Sequence, residues 1–339
     1  MDIPGYLCCP NHGSTLKVDY RDGSMVLCCN TGCTFVNVEG VFRFVTTKHY
    51  ASGFGLQWLN FRRTQLDSYT GTTISRDRLT RCLGGTLSLV ENKSVIEVGC
   101  GAGRFTEILL SAGACVFACD LSDAVVANYK NCRERTGYFV CQASVLKLPV
   151  RPEQFDVVVC LGVIQHTPSP EATIKSLCEQ VKPGGLLVID HYCRSYPATV
   201  SRRVLRSFLL RLPSRWSLRL CLFLVALLWP LHRTLYRLRR YPVMSRFRAM
   251  FLRISPVVDY HDAYQQLRPD CLREWAMLDT HDTVTDVFKH VRSADEIVEC
   301  LTKCGMEEIE ACYAGNGVEA RAKKLVPTTV AQVSTGRAH

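Results

Sequence analysis

The feature that most constrains the fold is a short β-branched run that leads directly into three alternating glycines. Residues 95–98 are typical of a buried strand. Gly99, Gly101 and Gly103 follow, and the pattern after them is helical. Because glycine lacks a Cβ atom and tolerates positive φ, this turn lets a ligand approach the backbone closely. A lone glycine-rich turn is weak evidence for a nucleotide site, so its interpretation depends on the acidic residues nearby.

Two carboxylates accompany the glycine turn. Glu97 lies two residues before Gly99, and Asp120 directly follows the second predicted strand. In an open parallel sheet, ligands bind at the carboxyl ends of the strands, where a carboxylate accepts hydrogen bonds from both ribose hydroxyls. The two acids therefore favour a ligand that contains a nucleoside.

Strand-like and helix-like segments alternate through the middle of the chain. This alternation predicts a parallel sheet with helices on both faces. A further pair of strands, joined by a glycine turn, is predicted near the end of the chain. The predicted strands cover residues 94–98, 114–119, 138–141, 155–160, 185–190, 305–312 and 317–324, and the predicted helices cover 104–112, 122–135 and 170–180.

Four segments carry a resemblance to a known family. They are Val-Ile-Glu-Val-Gly-Cys-Gly-Ala-Gly-Arg-Phe, Ala-Cys-Asp-Leu-Ser, Leu-Pro-Val…Gln-Phe-Asp-Val-Val-Val-Cys-Leu-Gly-Val-Ile-Gln-His and Val-Lys-Pro-Gly-Gly-Leu-Leu-Val-Ile. In order and spacing, residues 90–192 resemble class I S-adenosylmethionine-dependent methyltransferases. The resemblance implies a Rossmann-like α/β fold with a seven-stranded sheet. An NAD-type domain fits less well, because Glu97 within the turn and the later Leu-Pro and Phe-Asp pairs belong to the methyltransferase pattern.

The resemblance also implies roles for individual residues. Glu97 and the glycine loop would hold the amino-acid end of S-adenosylmethionine, Asp120 the ribose, and Leu121 and Val145 the adenine. The family often has Asp where this chain has Ser144, which leaves the adenine contacts less secure. The implied cofactor-binding residues are Glu97, Gly99, Gly101, Gly103, Asp120, Leu121, Ser144, Val145 and Leu161.

His166 follows the fourth predicted strand and is the candidate catalytic residue. Methyl transfer is an in-line displacement that requires alignment and exclusion of water. An oxygen nucleophile also benefits from a general base, for which histidine is the usual choice. The alternative is that His166 is a structural histidine, as are most histidines in such positions.

Residues 1–46 form a small cysteine-rich module. Two pairs, Cys9-x2-His12 and Cys29-x3-Cys33, match the tetrahedral S/N ligand sets that structural zinc prefers. A segment this short does not fold by core burial alone, so a metal would stabilise it. The doubled cysteines leave the register open, since Cys8 or Cys28 could replace its neighbour, and all of them could be ordinary buried thiols.

An arginine-rich insertion interrupts the methyltransferase pattern. Between Asp190 and Asp259 there are 14 Arg, no Lys and no acidic residue, and without these arginines the net charge of +10 becomes −4. The partner of this segment should therefore be anionic. Its apolar run at 220–231 is shorter than the ~20 residues that span a bilayer.

Three interpretations of the insertion remain open. A pair of amphipathic helices lying on an anionic membrane through residues 200–253 is one, and a buried helical lid is another. Nucleic acid fits less well, because the arginines lie among leucines rather than among stacking aromatic residues.

The predicted organisation has six parts, and the cellular setting follows from the cysteines. The 19 Cys are scattered and odd in number, and the N-terminus has no signal-peptide pattern, so we expect reduced thiols in the cytoplasm, with peripheral contact to the inner face of a membrane. The parts are a zinc-ribbon-like module at 1–46, a helical cap at 47–92, a methyltransferase core at 93–192, the insertion at 193–260, completion of the core at 261–325 and a disordered tail at 326–339.

The sequence favours methylation of a small or lipid-linked acceptor, such as O-methylation of a glycan or isoprenoid-type molecule. One alternative is an RNA base methyltransferase, because the cysteine-rich module resembles the N-terminal zinc module of bacterial ribosomal-RNA guanine methyltransferases, with His and Cys exchanged. Another is a non-catalytic scaffold that binds S-adenosylmethionine, against which the intact Glu97, glycines and Asp120 argue.

Overall fold

The computed structural model describes residues 3–45, 49–194, 199–315 and 317–326. Most of the predicted tail lies outside these residues. The strands are β1 (Leu16–Arg21), β2 (Ser24–Cys29), β3 (Thr34–Val38), β4 (Val41–Arg43), β5 (Ser94–Val98), β6 (Cys115–Asp120), β7 (Tyr138–Gln142), β8 (Phe155–Cys160), β9 (Val181–Tyr192), β10 (Met306–Ala314) and β11 (Gly317–Lys324). The α-helices are α1 (Ser52–Asn60), α2 (Asp67–Thr70), α3 (Ile74–Cys82), α4 (Thr106–Ser111), α5 (Ala124–Cys132), α6 (Pro170–Gln180), α7 (Val200–Leu209), α8 (Ser214–Arg237), α9 (Pro242–Ile254), α10 (Pro269–Thr285) and α11 (Ala294–Lys303).

All eleven described strands join one sheet, in the order β1-β2-β3-β4-β7-β6-β5-β8-β9-β11-β10. The strands from β4 to β9 are parallel, whereas β11 is antiparallel to both β9 and β10. The seven predicted strands of the methyltransferase core are therefore all present. Four further strands from the N-terminal module extend the same sheet beyond β7.

The central strands are apolar on both faces because helices cover both sides of the sheet. In β5, Ile96 and Val98 pack in one apolar cluster and Val95 packs in another. Successive side chains of a strand point to opposite faces, so a short apolar run supplies both layers of the core. The prediction of a helix-covered parallel sheet is confirmed.

Strand β9 differs from its prediction. It starts at Val181, although residues 182–185 read as a turn before a strand at 185–190. Phe155 pairs with Val181 and Val157 pairs with Leu186. Residues 182–185 therefore form an irregularity within the strand. Pro183 and the glycines after it interrupt the strand locally without ending it.

The cysteine-rich module is joined to the core through β4. Phe42 pairs in parallel with Cys141 of β7. Arg43 donates from Nη1 to Oε1 of Gln142 at 2.7 Å and to Oδ1 of Asp123 at 3.1 Å. Tyr6 packs its ring edge-on against the core residue Phe155. The module is thus a continuation of the sheet, built around backbone pairing that the sequence did not indicate.

The described residues of the insertion form three α-helices, α7 to α9, rather than the pair of the membrane interpretation. Val225 and Trp229 of α8 pack in one apolar cluster with Leu272 and Trp275 of α10. Helix α8 with the turn after it spans Ser214–Arg240 and is long and apolar enough to cross a membrane by length and composition alone, although a third of its most apolar stretch is buried within the protein. The expectation that this segment is too short to span therefore does not hold for the helix as formed.

Candidate active site

A cavity of about 220 Å³ opens at the carboxyl ends of β5, β6, β8 and β9, beneath α1 and α10. Eight residues predicted from the sequence line it, so the structure brings most of the expected site together. Two other predicted residues, Gly103 and Ser144, are not among the described lining residues. The eight are Glu97, Gly99, Gly101, Asp120, Leu121, Val145, Leu161 and His166.

The glycine loop is held in a conformation that side chains would disturb. Gly99 and Gly101 have φ of 77° and 50°. A Cβ atom at Gly99 would collide with the side chain of Val163. The backbone N–H groups of Gly99 and Cys100 donate to the carbonyl oxygen of Cys119 at 2.7 and 3.0 Å, which ties the loop to the end of β6. Bare backbone therefore faces the cavity.

Asp120 is already oriented at the end of β6. Its Oδ2 accepts from the backbone N–H of Gly101 at 3.0 Å, and its Oδ1 accepts from the backbone N–H and hydroxyl of Ser122 at 2.8 and 2.7 Å. Burial raises the pKa of Asp120, although these hydrogen bonds oppose the shift. A fixed, half-buried carboxylate of this kind is suited to accept hydrogen bonds from ligand hydroxyls.

Glu97 is the other acidic group of the predicted cofactor site. It is buried, and its Oε2 accepts from the hydroxyl of Thr106 at 2.5 Å. Asn128 donates to that same hydroxyl oxygen at 2.9 Å and so fixes it. Burial raises the pKa of Glu97 to about 8. A cationic ligand group beside Glu97 would offset this desolvation and favour the ionised form.

The part of the cavity expected to hold adenine is lined by Leu121, Ala143 and Val145. The hydroxyl of Ser144 instead accepts from the backbone N–H of Leu146 at 3.3 Å. The contacts that the structure offers at this end are therefore apolar walls.

Helix α10 supplies a polar wall that the sequence did not single out. Asp279 and Asp282 are three residues apart, lie on one face of the helix and line the cavity. Asp279 accepts from the hydroxyl of Tyr260 at 2.5 Å, and burial raises its pKa to about 7. Burial also raises the pKa of Asp282, whose Oδ1 accepts from the amide of Gln57 at 3.4 Å. In the sequence, the three-residue spacing of Asp279 and Asp282 was the signal that could have identified this wall.

His166 lies at the same cavity with one ring nitrogen occupied. Its Nδ1 lies 3.2 Å from the carbonyl oxygen of Phe288 and 3.3 Å from Oδ2 of Asp286. Burial alone would lower the pKa of His166, but the carboxylates of Asp286 and Asp282 outweigh it and raise the pKa. These contacts leave Nε2 as the nitrogen that can serve a ligand.

Two arginines line the cavity without having been predicted. Arg78 pairs with Asp190, which also accepts from the backbone N–H of Gly162 at 2.5 Å. Arg104, directly after the glycine loop, donates to Ser75 at 2.8 Å and to Gln65 at 3.0 Å. Burial and the charge of Arg78 lower the pKa of Arg104 to about 10. The signal for Arg104 was its position one residue beyond Gly103.

The cysteine-rich module brings four ligand-type side chains together away from the cavity. One ligand atom from each lies within 4.8 Å of every other, a spacing that fits a tetrahedral metal site. Two tight turns present them: the backbone N–H of Gly13 donates to the carbonyl oxygen of Cys9 at 2.7 Å, and that of Cys33 donates to the sulfur of Cys29 at 3.2 Å. The four residues are Cys9, His12, Cys29 and Cys33.

The structure also distinguishes the doubled cysteines. Cys28 and Cys29 are consecutive in β2, so their side chains point to opposite faces. The sulfur of Cys28 contacts the hydroxyl of Thr34 at 3.7 Å rather than the cluster. Cys9 rather than Cys8 belongs to the cluster. The donor set and its geometry fit zinc.

Comparison with known proteins finds matches to the central part of the chain. Residues 96–189 match the family model described as a methyltransferase domain. Ubiquinone biosynthesis O-methyltransferase from Coxiella burnetii is 31% identical over 112 residues, which cover 32% of this chain and 47% of the relative. The protein of that name from Methylococcus capsulatus is 32% identical over 127 residues, covering 36% and 53%. The chain thus spans about half the length of the curated relatives it matches.

The chain is also similar to solved structures of methyltransferases. A SAM-dependent methyltransferase from Methanosarcina mazei is 18% identical, with 70% of this chain and 94% of the other covered and a TM-score of 0.38. An S-adenosylmethionine-dependent methyltransferase from Mesorhizobium loti is 14% identical, with 74% and 98% covered and a TM-score of 0.42.

Proposed function

We propose that this chain, in which residues 96–189 form a class I methyltransferase domain, transfers the methyl group of S-adenosylmethionine to an oxygen of a small or lipid-linked acceptor. The observation that carries this proposal is the meeting of Glu97, the glycine loop and Asp120 in one cavity that also has a polar wall on α10. Bound S-adenosylmethionine supplies an electrophilic methyl group on a sulfonium. The protein's own residues bind, orient and accept a proton.

The residues divide between the two ligands by position. Asp120 would accept from the ribose hydroxyls, Glu97 would face the cationic amino-acid end, and Leu121 and Val145 would enclose the adenine. Leu161, at the end of β8, would lie near the transferred methyl group. Gly103 would act through the shape of the loop. Ser144 accepts from the backbone N–H of Leu146 and would still have its O–H and a second lone pair for the adenine.

Two groups are suited to take the proton from the acceptor's oxygen. Nε2 of His166 is one, although the carboxylates that raise the pKa of His166 also keep it protonated to higher pH. Asp279 is the other, because burial brings its pKa to about 7, where a general base works best near neutral pH. We propose His166 as the base or acceptor contact, with Asp279 as the alternative.

The nature of the acceptor is supported by the relatives and by the insertion. Relatives named for O-methylation in ubiquinone biosynthesis favour an oxygen nucleophile on an isoprenoid-type molecule. The arginine-rich helices at 193–260 suit peripheral attachment to the inner, anionic face of a membrane, where a lipid-linked acceptor resides. In this arrangement residues 1–46 bind a structural zinc ion and residues 47–92 with 261–325 complete the site.

Methyl transfer into a cell extract tests the proposal. Protein incubated with methyl-labelled S-adenosylmethionine should label the lipid or small-molecule fraction, and Asp120→Ala should not. Label found only in RNA would favour the alternative of an RNA base methyltransferase, which the zinc-type cluster supports. Binding of S-adenosylmethionine without label in any fraction would favour a scaffold.

A further inference from the structure

Each helix of the insertion exposes a stripe of large apolar side chains. The spacing within each stripe is three, four or seven residues, which places its members on one helix face. Each member is 40–70% exposed. The stripes are Val200, Val204 and Phe208 on α7, Trp216, Phe223, Leu227 and Leu231 on α8, and Val243, Phe247, Met250 and Ile254 on α9.

The other faces of these helices already pack inside the protein. Leu209 of α7 and Cys221 of α8 pack against Val284 of α10. His232 of α8 is buried, with Nδ1 at 2.7 Å from Oδ2 of Asp259. The exposed stripes are therefore additional apolar surface. Exposed apolar surface on this scale marks an interaction site rather than a core.

The stripes lie within a strongly positive segment. Arg206 and Arg248 form ion pairs with acidic residues. Ten other arginines of α7 to α9 and their connections are exposed, and none has a carboxylate partner within the described part of the chain. They are Arg203, Arg211, Arg215, Arg219, Arg233, Arg237, Arg239, Arg240, Arg246 and Arg253.

We propose that the eleven apolar side chains, which we call the docking surface, insert into an anionic phospholipid bilayer while the ten arginines bind its headgroups. Amphipathic helices with arginine and aromatic edges lie in the membrane interface in this way, and each basic residue near an anionic surface contributes further attraction. Nucleic acid would use the arginines but leave the eleven apolar side chains in water.

The helices lie in the interface and do not cross it. Helix α8 is long enough to span, but one of its faces is fixed to the protein by Val225, Trp229 and the buried His232. Crossing the bilayer would break the contacts of His232 with Asp259 and with the hydroxyl of Ser255, which lies 2.9 Å from Nε2. Lying in the plane keeps these contacts and buries the stripes.

The insertion that carries the docking surface reaches the active site at the turn between α7 and α8. A second cavity, of about 100 Å³, lies at the turn between α7 and α8, where Leu209, Leu210 and Leu212 line it. It shares Tyr50 and Phe54 with the main cavity. Resting on the proposed function, this position gives the apolar chain of a lipid-linked acceptor a place between the bilayer and the reaction site.

Vesicle co-sedimentation of the full chain tests the docking surface. We expect it to pellet with phosphatidylcholine vesicles that contain phosphatidylglycerol and to remain soluble with phosphatidylcholine alone. The combined change Phe223→Ser, Leu227→Ser, Phe247→Ser and Met250→Ser should weaken binding at least tenfold, because apolar burial drives insertion. The matched control, Val36→Ser with Leu89→Ser, replaces exposed apolar residues elsewhere and should bind as the wild type.

A depth readout separates insertion from adsorption. Trp216 is 59% exposed, whereas Trp229 and Trp275 are buried. Phosphatidylglycerol vesicles with brominated acyl chains should quench the wild-type fluorescence, and Trp216→Phe should remove most of that quenching. The proposal would be overturned if the quadruple variant bound vesicles as the wild type does. It would also be overturned if the wild type bound RNA but not vesicles. A third contrary result would be a wild type that ignores vesicles and self-associates through the apolar side chains, with the quadruple variant remaining monomeric.

Calorimetric titration with S-adenosylmethionine tests cofactor binding separately from membrane docking. The quadruple variant should bind the cofactor as the wild type does, which also shows that it is folded. Asp120→Ala should lose cofactor affinity and still bind vesicles. Failure of docking alone thus leaves the methyltransferase proposal standing, and failure of cofactor binding alone leaves the docking surface standing.

Discussion

The backbone N–H of Gly101 donates to Oδ2 of Asp120 across 3.0 Å. This bond joins the loop after β5 to the carboxylate at the end of β6 and fixes the position of both. Ser122 holds the other oxygen of Asp120. The predicted ribose acceptor and the predicted glycine loop are thus one structural unit, so disturbing either should impair cofactor binding.

Gly99→Ala should abolish measurable binding of S-adenosylmethionine. Alanine must adopt a φ of 77° there and would also collide with Val163. We expect a loss of about 2–4 kcal/mol in the free energy of unfolding, from left-handed backbone and overpacking together. Urea unfolding and calorimetric titration measure the two effects.

The matched control for that change is Gly162→Ala. Gly162 also lines the cavity and has a φ of 75°, but no described atom lies within 4 Å of a Cβ built there. The backbone cost alone, about 1–2 kcal/mol, should appear. Equal losses in both variants would show that the contact with Val163 is unimportant.

The N-terminal module should hold one zinc ion per chain. Elemental analysis of the purified protein should find it, and Cys33→Ser should lose it on dialysis against a chelator. Hydrogen exchange of the backbone amides in β1 to β3 should then accelerate, since metal binding stabilises such a small module. Cys28→Ser, whose sulfur faces Thr34, should retain the metal. A zinc-free wild type, or a Cys33→Ser protein that keeps its zinc, would contradict the assignment.

Asp279 should make the protein less stable as pH rises. Its pKa is about 7 in the folded protein because of burial, against about 3.9 in an unfolded chain. Between these values the unfolded state ionises and the folded state does not, so the free energy of unfolding falls as pH increases from about 4 to about 7.

Asp279→Asn should remove that contribution. The variant should be more stable than the wild type at pH 8, by at most about 4 kcal/mol, and the difference should vanish near pH 4, where Asp279 is protonated in both states. Thermal unfolding across this range measures it. A variant that is equally destabilised at both pH values would show that Asp279 acts through its hydrogen bond with Tyr260 instead.

Asp286→Asn should weaken the attachment of α7 to the core. The buried carboxylate of Asp286 pairs with Arg206 of α7 at 2.8 Å, with Lys289 at 3.1 Å and with His166 at 3.3 Å. Removing one charge from a buried network leaves its partners uncompensated and costs about 3–5 kcal/mol. Chemical unfolding should report that loss.

An exposed aspartate provides the comparison. Asp262 pairs with Arg248 at 2.6 Å, but its side chain is 57% exposed. Asp262→Asn should cost less than about 1 kcal/mol, as surface pairs do. If the two variants lost equal stability, the network around Asp286 would hold α7 to the core no more strongly than a surface ion pair does.

The core and the residues that line the cavity at its strand ends could be predicted because the signals are local. Glu97, the glycines and Asp120 lie next to strand ends, and parallel strands bring their carboxyl ends to one edge whatever the connections do. Similarly, the short continuous apolar runs of β5 to β8 predicted buried strands, and the predicted ends lie within about one residue of the observed ends.

The wall of the cavity formed by α10 could not be predicted in the same way. Asp279 and Asp282 reach the cavity only because α10 packs over the sheet, more than 150 residues after Glu97. The pairing of Phe42 with Cys141 depends on a free edge at β7, which no local pattern marks. The contact of Ser144 with the adenine stays a prediction, since a position in sequence does not fix where a hydroxyl points.

The most direct test of the central claim is calorimetric titration of the full chain with S-adenosylmethionine. We expect one binding site per chain and an affinity that Asp120→Ala lowers about 10- to 100-fold, the loss that removal of hydrogen bonds to a charged acceptor produces. A wild type that releases no heat of binding, or an Asp120→Ala protein that binds with unchanged affinity, would contradict the assignment of this cavity to S-adenosylmethionine.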